Sequence, residues 1–174
     1  MRRLLALIFV VWMLTTSAAV AGIPAAYAPV VVLPVGVPQR YEFDLTAALQ
    51  RAQRENKRLY VYLGADNCPF CRKYEAFLDR HAAELAPHFA KDYLVVDLRS
   101  TLAAVASRLH IRIGETSLPY ADFQRSIGDE RARVLVYPSV WLLNGAGRPL
   151  MQMPAGAGTF ETVPEQLEIL RLEN

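Results

Sequence analysis

Residues 64–77 read GADNCPFCRKYEAF, and this stretch holds both cysteines of the chain, Cys68 and Cys71. Just upstream, RLYVYLG (58–64) is short, aromatic and β-branched and ends on a glycine, the pattern of a buried strand. Downstream, Cys71, Tyr74, Leu78 and Leu85 recur at helical spacing and predict a helix from Pro69 to Leu85. The cysteines therefore stand where a strand gives way to a helix. A thiolate at that place meets free backbone N–H groups and the positive end of the helix dipole. Such surroundings bring a cysteine pKa from about 8.5 down to between ~3.5 and ~7.5. Pro69 suits the first helical turn, where no backbone donor is lost. Arg72 and Lys73 add positive charge and Asp66 opposes them. Cys68 is thus expected to be the accessible nucleophile, with Cys71 shielded one turn further in and ready to resolve a mixed disulfide.

Other uses of the pair are narrowed by what surrounds it. Covalent haem attachment needs a histidine directly after the second cysteine, and Arg72 stands there. Structural zinc takes four ligands, commonly two pairs. No second pair exists, and His81, His88 and His110 are scattered. A structural staple is a poor reading, because so short a loop gains little from closure. Copper(I) is content with two thiolates, so a copper carrier that recruits Met151 and Met153 stays open beside a dithiol–disulfide site.

The 174 residues suit one domain with a real core, 53% hydrophobic and 21% charged. A net charge of +2 gives no argument for nucleic acid or an anionic membrane surface. Residues 1–21 read as a secretory signal: Arg2 and Arg3, an apolar run from Leu4 to Leu14 that includes Trp12, then Ala19-Val20-Ala21 as the cleavage motif. The cut is placed after Ala21, since cutting after Ala28 would leave Pro29 at the new end. An uncleaved anchor is the alternative, and only then would the chain hold to a membrane. Either way the remainder faces an oxidising compartment, a bacterial periplasm.

Residues 22–40, with prolines at 24, 29, 34 and 38, are expected to form a linker with a short edge strand at VVVLPV. The domain is placed at 41–174. Asp44 caps a helix whose buried face carries Leu45, Ala48, Leu49 and Ala52. DYLVVDL (92–98) reads as a second buried strand. TLAAVASRL (101–109) supplies Leu102, Val105 and Leu109 for a helix, and SLPYADFQRSIG adds another between Pro119 and Gly128. Two apolar runs around NGAG (144–147) make an antiparallel hairpin, and TVPEQLEILRLEN closes the chain as an amphipathic helix. The expected fold class is α/β: a central mixed sheet flanked by helices, with a helical insert over 101–133.

From Tyr41 onward these elements resemble the thioredoxin fold, and are most similar to the secreted bacterial thioredoxin-like oxidoreductases (a SoxW-like group). ALQRAQRENKRLYVYLGADNCPFC, FAKDYLVVDL and VYPSVWLLNGAGRPL carry the likeness. It implies that the Tyr137–Pro138 bond is cis, beside Cys68, and that Tyr137 and Pro138, with Pro69 and Phe70, meet the substrate. Three features depart from ordinary thioredoxins: Pro69-Phe70 lie between the cysteines, Asn67 replaces a tryptophan, and Tyr62 replaces a buried aspartate that would accept a proton from Cys71. Trp141 is expected in the core.

The resulting expectation is an exported thiol–disulfide oxidoreductase that reduces disulfides of periplasmic client proteins, is recharged by an inner-membrane dithiol donor, and needs no metal or organic cofactor. A copper(I) carrier or a thioredoxin-fold adaptor of low turnover is the alternative.

Overall fold

The computed structural model describes residues 22–37, 40–126, 135–153 and 162–171. The signal segment 1–21, Gly128 and the side chains of Met151 and Met153 lie outside the described residues.

In chain order a 3-10 turn (Ala25–Tyr27) leads to β1 (Val30–Val32), β2 (Val35–Val37), β3 (Arg40–Asp44), α1 (Thr46–Arg54), β4 (Arg58–Asp66), α2 (Pro69–Arg80), α3 (Ala82–Asp92) and β5 (Tyr93–Thr101). A second 3-10 turn (Ala106–Arg108) precedes β6 (Leu109–Ile113), β7 (Thr116–Pro119), α4 (Tyr120–Ser126), β8 (Ser139–Leu143), β9 (Pro149–Met153) and α5 (Val163–Arg171). The central sheet runs β1-β5-β4-β8-β9: β1, β5 and β4 are parallel, and β8 and β9 are antiparallel. This mixed sheet flanked by helices is the expected fold class.

The sheet is buried on both faces, so its central strands carry unbroken apolar runs. Alternation sends Leu59, Val61 and Leu63 of β4 to one face, with Leu94, Val96, Trp141 and the apolar side of α1. It sends Tyr60 and Tyr62 to the other, with Tyr74, Leu78, Leu85, Phe89 and Leu170 from α2, α3 and α5. Several local expectations hold. The Thr46 N–H donates to Asp44 Oδ1 at 2.8 Å, which caps α1. Asn144 Oδ1 accepts from the Ala146 and Arg148 N–H groups at 2.9 Å, and Gly147 takes a left-handed φ of 75°, which closes the β8–β9 hairpin. Thr162 and Glu165 cap α5 reciprocally.

Three expectations are corrected. The insert is not helical throughout: strands β6 and β7 precede its helix, α4. Leu102 and Val105 are 50% and 47% exposed rather than aligned on a helix, and Leu109 opens β6. LHIRI alternates with period two, and Leu109 and Ile111 bury against β3, which pairs with β6 in parallel. With β2 and β7 these strands form a second, four-stranded sheet; Pro119 is the last residue of β7, and the helix expected between Pro119 and Gly128 follows it at once as α4. The stretch 22–40, expected as a linker, is not a free one over its described part, 22–37. Ile23 and Tyr27 are buried, the Tyr27 hydroxyl donates to the Leu78 carbonyl at 2.8 Å, and the prolines at 24, 29 and 34 fall between elements. VVVLPV does supply an edge strand, β1. Finally, the helix after the cysteines breaks at His81, and the turn brings Leu85 and Phe89 of α3 into the same core as Tyr74 and Leu78.

Candidate active site

β4 delivers the chain to the cysteines. Asn67 follows it with a left-handed φ of 57°, a conformation that asparagine tolerates better than most residues. Cys68 is then extended (φ −87°, ψ 111°) and is the N-cap of α2, with Pro69 in the first turn. The Cys71 N–H donates to Cys68 Sγ at 3.1 Å, and the Arg72 N–H to the Cys68 carbonyl at 3.0 Å. One of the donors that every helix start leaves unpaired is thus spent on sulfur. The two cysteines are joined in a disulfide, Cα to Cα 5.2 Å apart.

Cys71 is fully buried, and Cys68 is only 2% exposed. The expected accessibility is therefore not present with the disulfide closed. Ala65 clusters with the two cysteines, and Tyr137 packs against that cluster. The Tyr137 hydroxyl shares a 2.7 Å hydrogen bond with Ser100 Oγ, and burial pushes its pKa up. The Tyr137–Pro138 peptide bond is cis, and β8 begins at the next residue. Between the cysteines Pro69 is exposed and Phe70 is 51% exposed, so an aromatic ring stands in solvent beside the buried sulfurs.

Beneath α2 lies a polar layer that sequence reasoning missed. Glu75 is four residues beyond Cys71 and so on the same helix face. It is 7% exposed, accepts from the Tyr62 hydroxyl at 2.9 Å, and pairs with Arg72 at 2.9 Å. Arg72 is thus turned to this carboxylate, not held as a cation for the sulfur. Register sets Tyr62 of β4 beside Asp97 of β5. Asp97 is fully buried, and its Oδ2 accepts from the Ile23 N–H and from Arg99 Nε, each at 3.1 Å. Burial raises the pKa of both carboxyls above the ordinary range; Tyr62 and Arg72 oppose this at Glu75, and Arg99 and Ile23 at Asp97. Burial first, and then the neighbouring Glu75, drive the Tyr62 phenol far up as well, so it stays a donor. Two signals for this layer were legible: a glutamate one turn after Cys71 on the buried face, and an aspartate inside the apolar run YLVVDL. Among the described residues no group of three or more His, Cys, Asp or Glu side chains could hold a metal ion. No helix among them is long and apolar enough to cross a membrane.

A family model for the thioredoxin-like domain matches residues 45–169, which include both cysteines and the cis bond. The chain belongs to the thioredoxin-like domain family. Among solved structures it is similar to a thioredoxin-fold protein from Helicobacter pylori (12% identity, 67% of this chain and 68% of that one, TM-score 0.41). It is also similar to the exposed lipoprotein thioredoxin of Streptococcus pneumoniae (17% identity, 70% and 87%, TM-score 0.39). No curated protein matches. In this thioredoxin-like domain the matched span begins at Leu45, so β1, β2, β3 and the buried Ile23 and Tyr27 precede it.

Proposed function

We propose that this protein is an exported thiol–disulfide oxidoreductase that reduces disulfides of periplasmic client proteins. The observation that carries the reading is the Cys71 N–H aimed at Cys68 Sγ at 3.1 Å, on the first turn of α2. A donor so placed favours the thiolate over the thiol. In the reduced protein the Cys68 thiolate attacks one sulfur of a client disulfide. A Cys68–client bond forms and the other client sulfur leaves as a thiolate. Cys71 gives up its proton and attacks Cys68 Sγ, which closes the Cys68–Cys71 disulfide and frees the second client thiolate. Two electrons pass to the client, and a membrane dithiol donor returns them.

Glu75, on the Cys71 face of α2, is the proton acceptor in this reading; burial raises its pKa, which makes it a better proton acceptor than an ordinary carboxylate. Tyr137 and Pro138 place the client backbone, while Pro69 and Phe70 form the exposed rim that meets client side chains. The SoxW-like likeness supports reduction as the direction.

The test is direct. Cys68→Ser should abolish reduction of a model disulfide such as insulin, and Cys71→Ser should accumulate mixed disulfides with exported proteins. Unchanged reduction by Cys68→Ser would sink the proposal. Glu75→Gln should slow resolution most at pH values where Glu75 is ionised and the Cys71 thiol is not. It should lose its effect as pH falls and Glu75 is protonated, and leave the first attack intact.

A further inference from the structure

We propose that removal of residues 1–21 installs a charge inside the domain: the freed α-ammonium of Gly22 docks in the small cavity beneath α2 and pairs with Asp97 and Glu75. This rests on the export reading above. A signal peptidase hydrolyses the Ala21–Gly22 amide with one water. Ala21 leaves with the new carboxylate, and Gly22 keeps the nitrogen, which takes up a proton.

The place is built around this one residue. Gly22 has a φ of +133°, and a Cβ there would stand 2.4 Å from Asp97 Oδ2 and 2.8 Å from Arg99 Nη2, so only glycine fits. Its main chain contributes a hydrogen bond to Glu75, and the next N–H, that of Ile23, goes to Asp97. Ile23 and Tyr27 are buried and fasten the segment from the other side, so the Gly22 nitrogen cannot drift far. A cut after Ala28 would discard both of these core residues.

The cavity lined by Gly22 has a volume of about 10 Å³, near what one water occupies. An ammonium group is of similar size. The titratable and charged groups that face it are Tyr62 and Asp66 from β4, Arg72 and Glu75 from α2, and Asp97 and Arg99 from β5. Arg72 pairs with Glu75 and Arg99 with Asp97 Oδ2. Asp97 Oδ1, also buried, has no hydrogen-bond partner among the described residues. An unmet carboxylate oxygen in a fully buried side chain is costly. An amide at Gly22 offers a single N–H, whereas an ammonium offers three and a full positive charge. Processing therefore supplies donors and charge where the unprocessed chain lacks them.

The experiment uses protein exported and purified in its mature form, labelled with ¹³C-glycine. Intact mass should place the N-terminus at Gly22. The Gly22 Cα shift should report an amine titrating above the ordinary α-amino value of ~7.7–8.0. Asp97→Asn should return it to the ordinary value. Because that variant could fold poorly, a second chain that begins one residue earlier, at Ala21, is compared. Its terminal amine should titrate normally, and its thermal midpoint at pH 7 should fall below that of the mature form. The raised amine contributes stability below about 8, so the mature form should lose its advantage as pH rises through the shifted value. A mature end at any other residue overturns the inference. So does an ordinary Gly22 midpoint unaffected by Asp97→Asn. Disulfide exchange assayed on the same samples separates the two readings, since an inactive dithiol leaves the amine titration untouched.

Discussion

The molecule holds two clusters of carboxylates and arginines that behave in opposite ways. On the second sheet, Glu42 of β3 accepts from Arg112 at 2.8 Å, from Arg40 at 3.0 Å and from Ser117. Hydrogen bonds from Arg112 first, then Ser117, outweigh burial and hold its pKa near about 2. Under α2, Glu75 and Asp97 face Arg72 and Arg99 at 2.9 and 3.1 Å, yet their pKa values go up. Glu42 has two guanidiniums and a hydroxyl for partners, whereas Glu75 and Asp97 have one guanidinium each, and the surroundings differ as well. Arg40 is half exposed at the sheet margin, whereas Asp97 is fully buried between sheet and helix. The contrast teaches that a carboxyl pKa falls where hydrogen bonds from several donors outweigh desolvation, and rises where a single guanidinium has to offset the burial.

The largest effect should come from breaking the buried side of this contrast. Asp97→Ala strands Arg99 and the Ile23 N–H, and removing one partner of a buried ion pair costs about 3–5 kcal/mol. Urea unfolding at pH 7 should show a clear drop in midpoint. A variant as stable as wild type would mean that Asp97 is not holding the N-terminal segment.

Next comes Glu42→Gln, which should cost about 2 kcal/mol at neutral pH, the scale of charge-assisted hydrogen bonds. The sign follows from the lowered pKa. Glu42 contributes stability above its unfolded value near 4.5, and this is lost as pH falls through about 2. The variant should therefore flatten the acid limb of a stability–pH curve. Glu75→Gln should do the reverse, measured with Ala21 retained so that Gly22 remains an amide. A raised carboxyl favours the fold most when protonated, so that stability is present below the ordinary glutamate value and declines as pH rises towards the shifted one. Glu75→Gln should gain on its parent as pH rises, where Glu42→Gln loses ground. Parallel pH dependences for the two variants would erase the distinction.

The smallest effects concern single neutral hydrogen bonds. Tyr62→Phe deprives Glu75 of a donor and should cost about 1–2 kcal/mol while pushing the Glu75 pKa further up. Tyr137→Phe loses only the Ser100 bond, and should cost about 0.5–1.5 kcal/mol by thermal melting.

Much of this was legible before any coordinates. The strand RLYVYLG, the CPFC pair at a helix start, the buried run YLVVDL and the NGAG hairpin all declare themselves through local pattern: β-branched and aromatic runs, a proline in the first turn, glycine at a left-handed position. The insert misled because 102, 105 and 109 happen to fall at helical spacing, while the shorter alternation in LHIRI depends on β3 being present to pair with it. Prolines in 22–37 suggested a linker, yet they punctuate strands and turns whose apolar residues fill the core.

The amino-acid sequence by itself determined that a cysteine pair stands at the start of a helix behind a buried strand, because capping, periodicity and turn chemistry act over a few residues. Only the tertiary structure decided that Cys68 is covered when the disulfide is closed, that Glu75 and Asp97 meet beneath it, and that Gly22 sits against them. Those are contacts between residues as far apart as 22 and 97, and a pKa depends on solvent removed from all sides, a quantity that no local stretch of sequence contains.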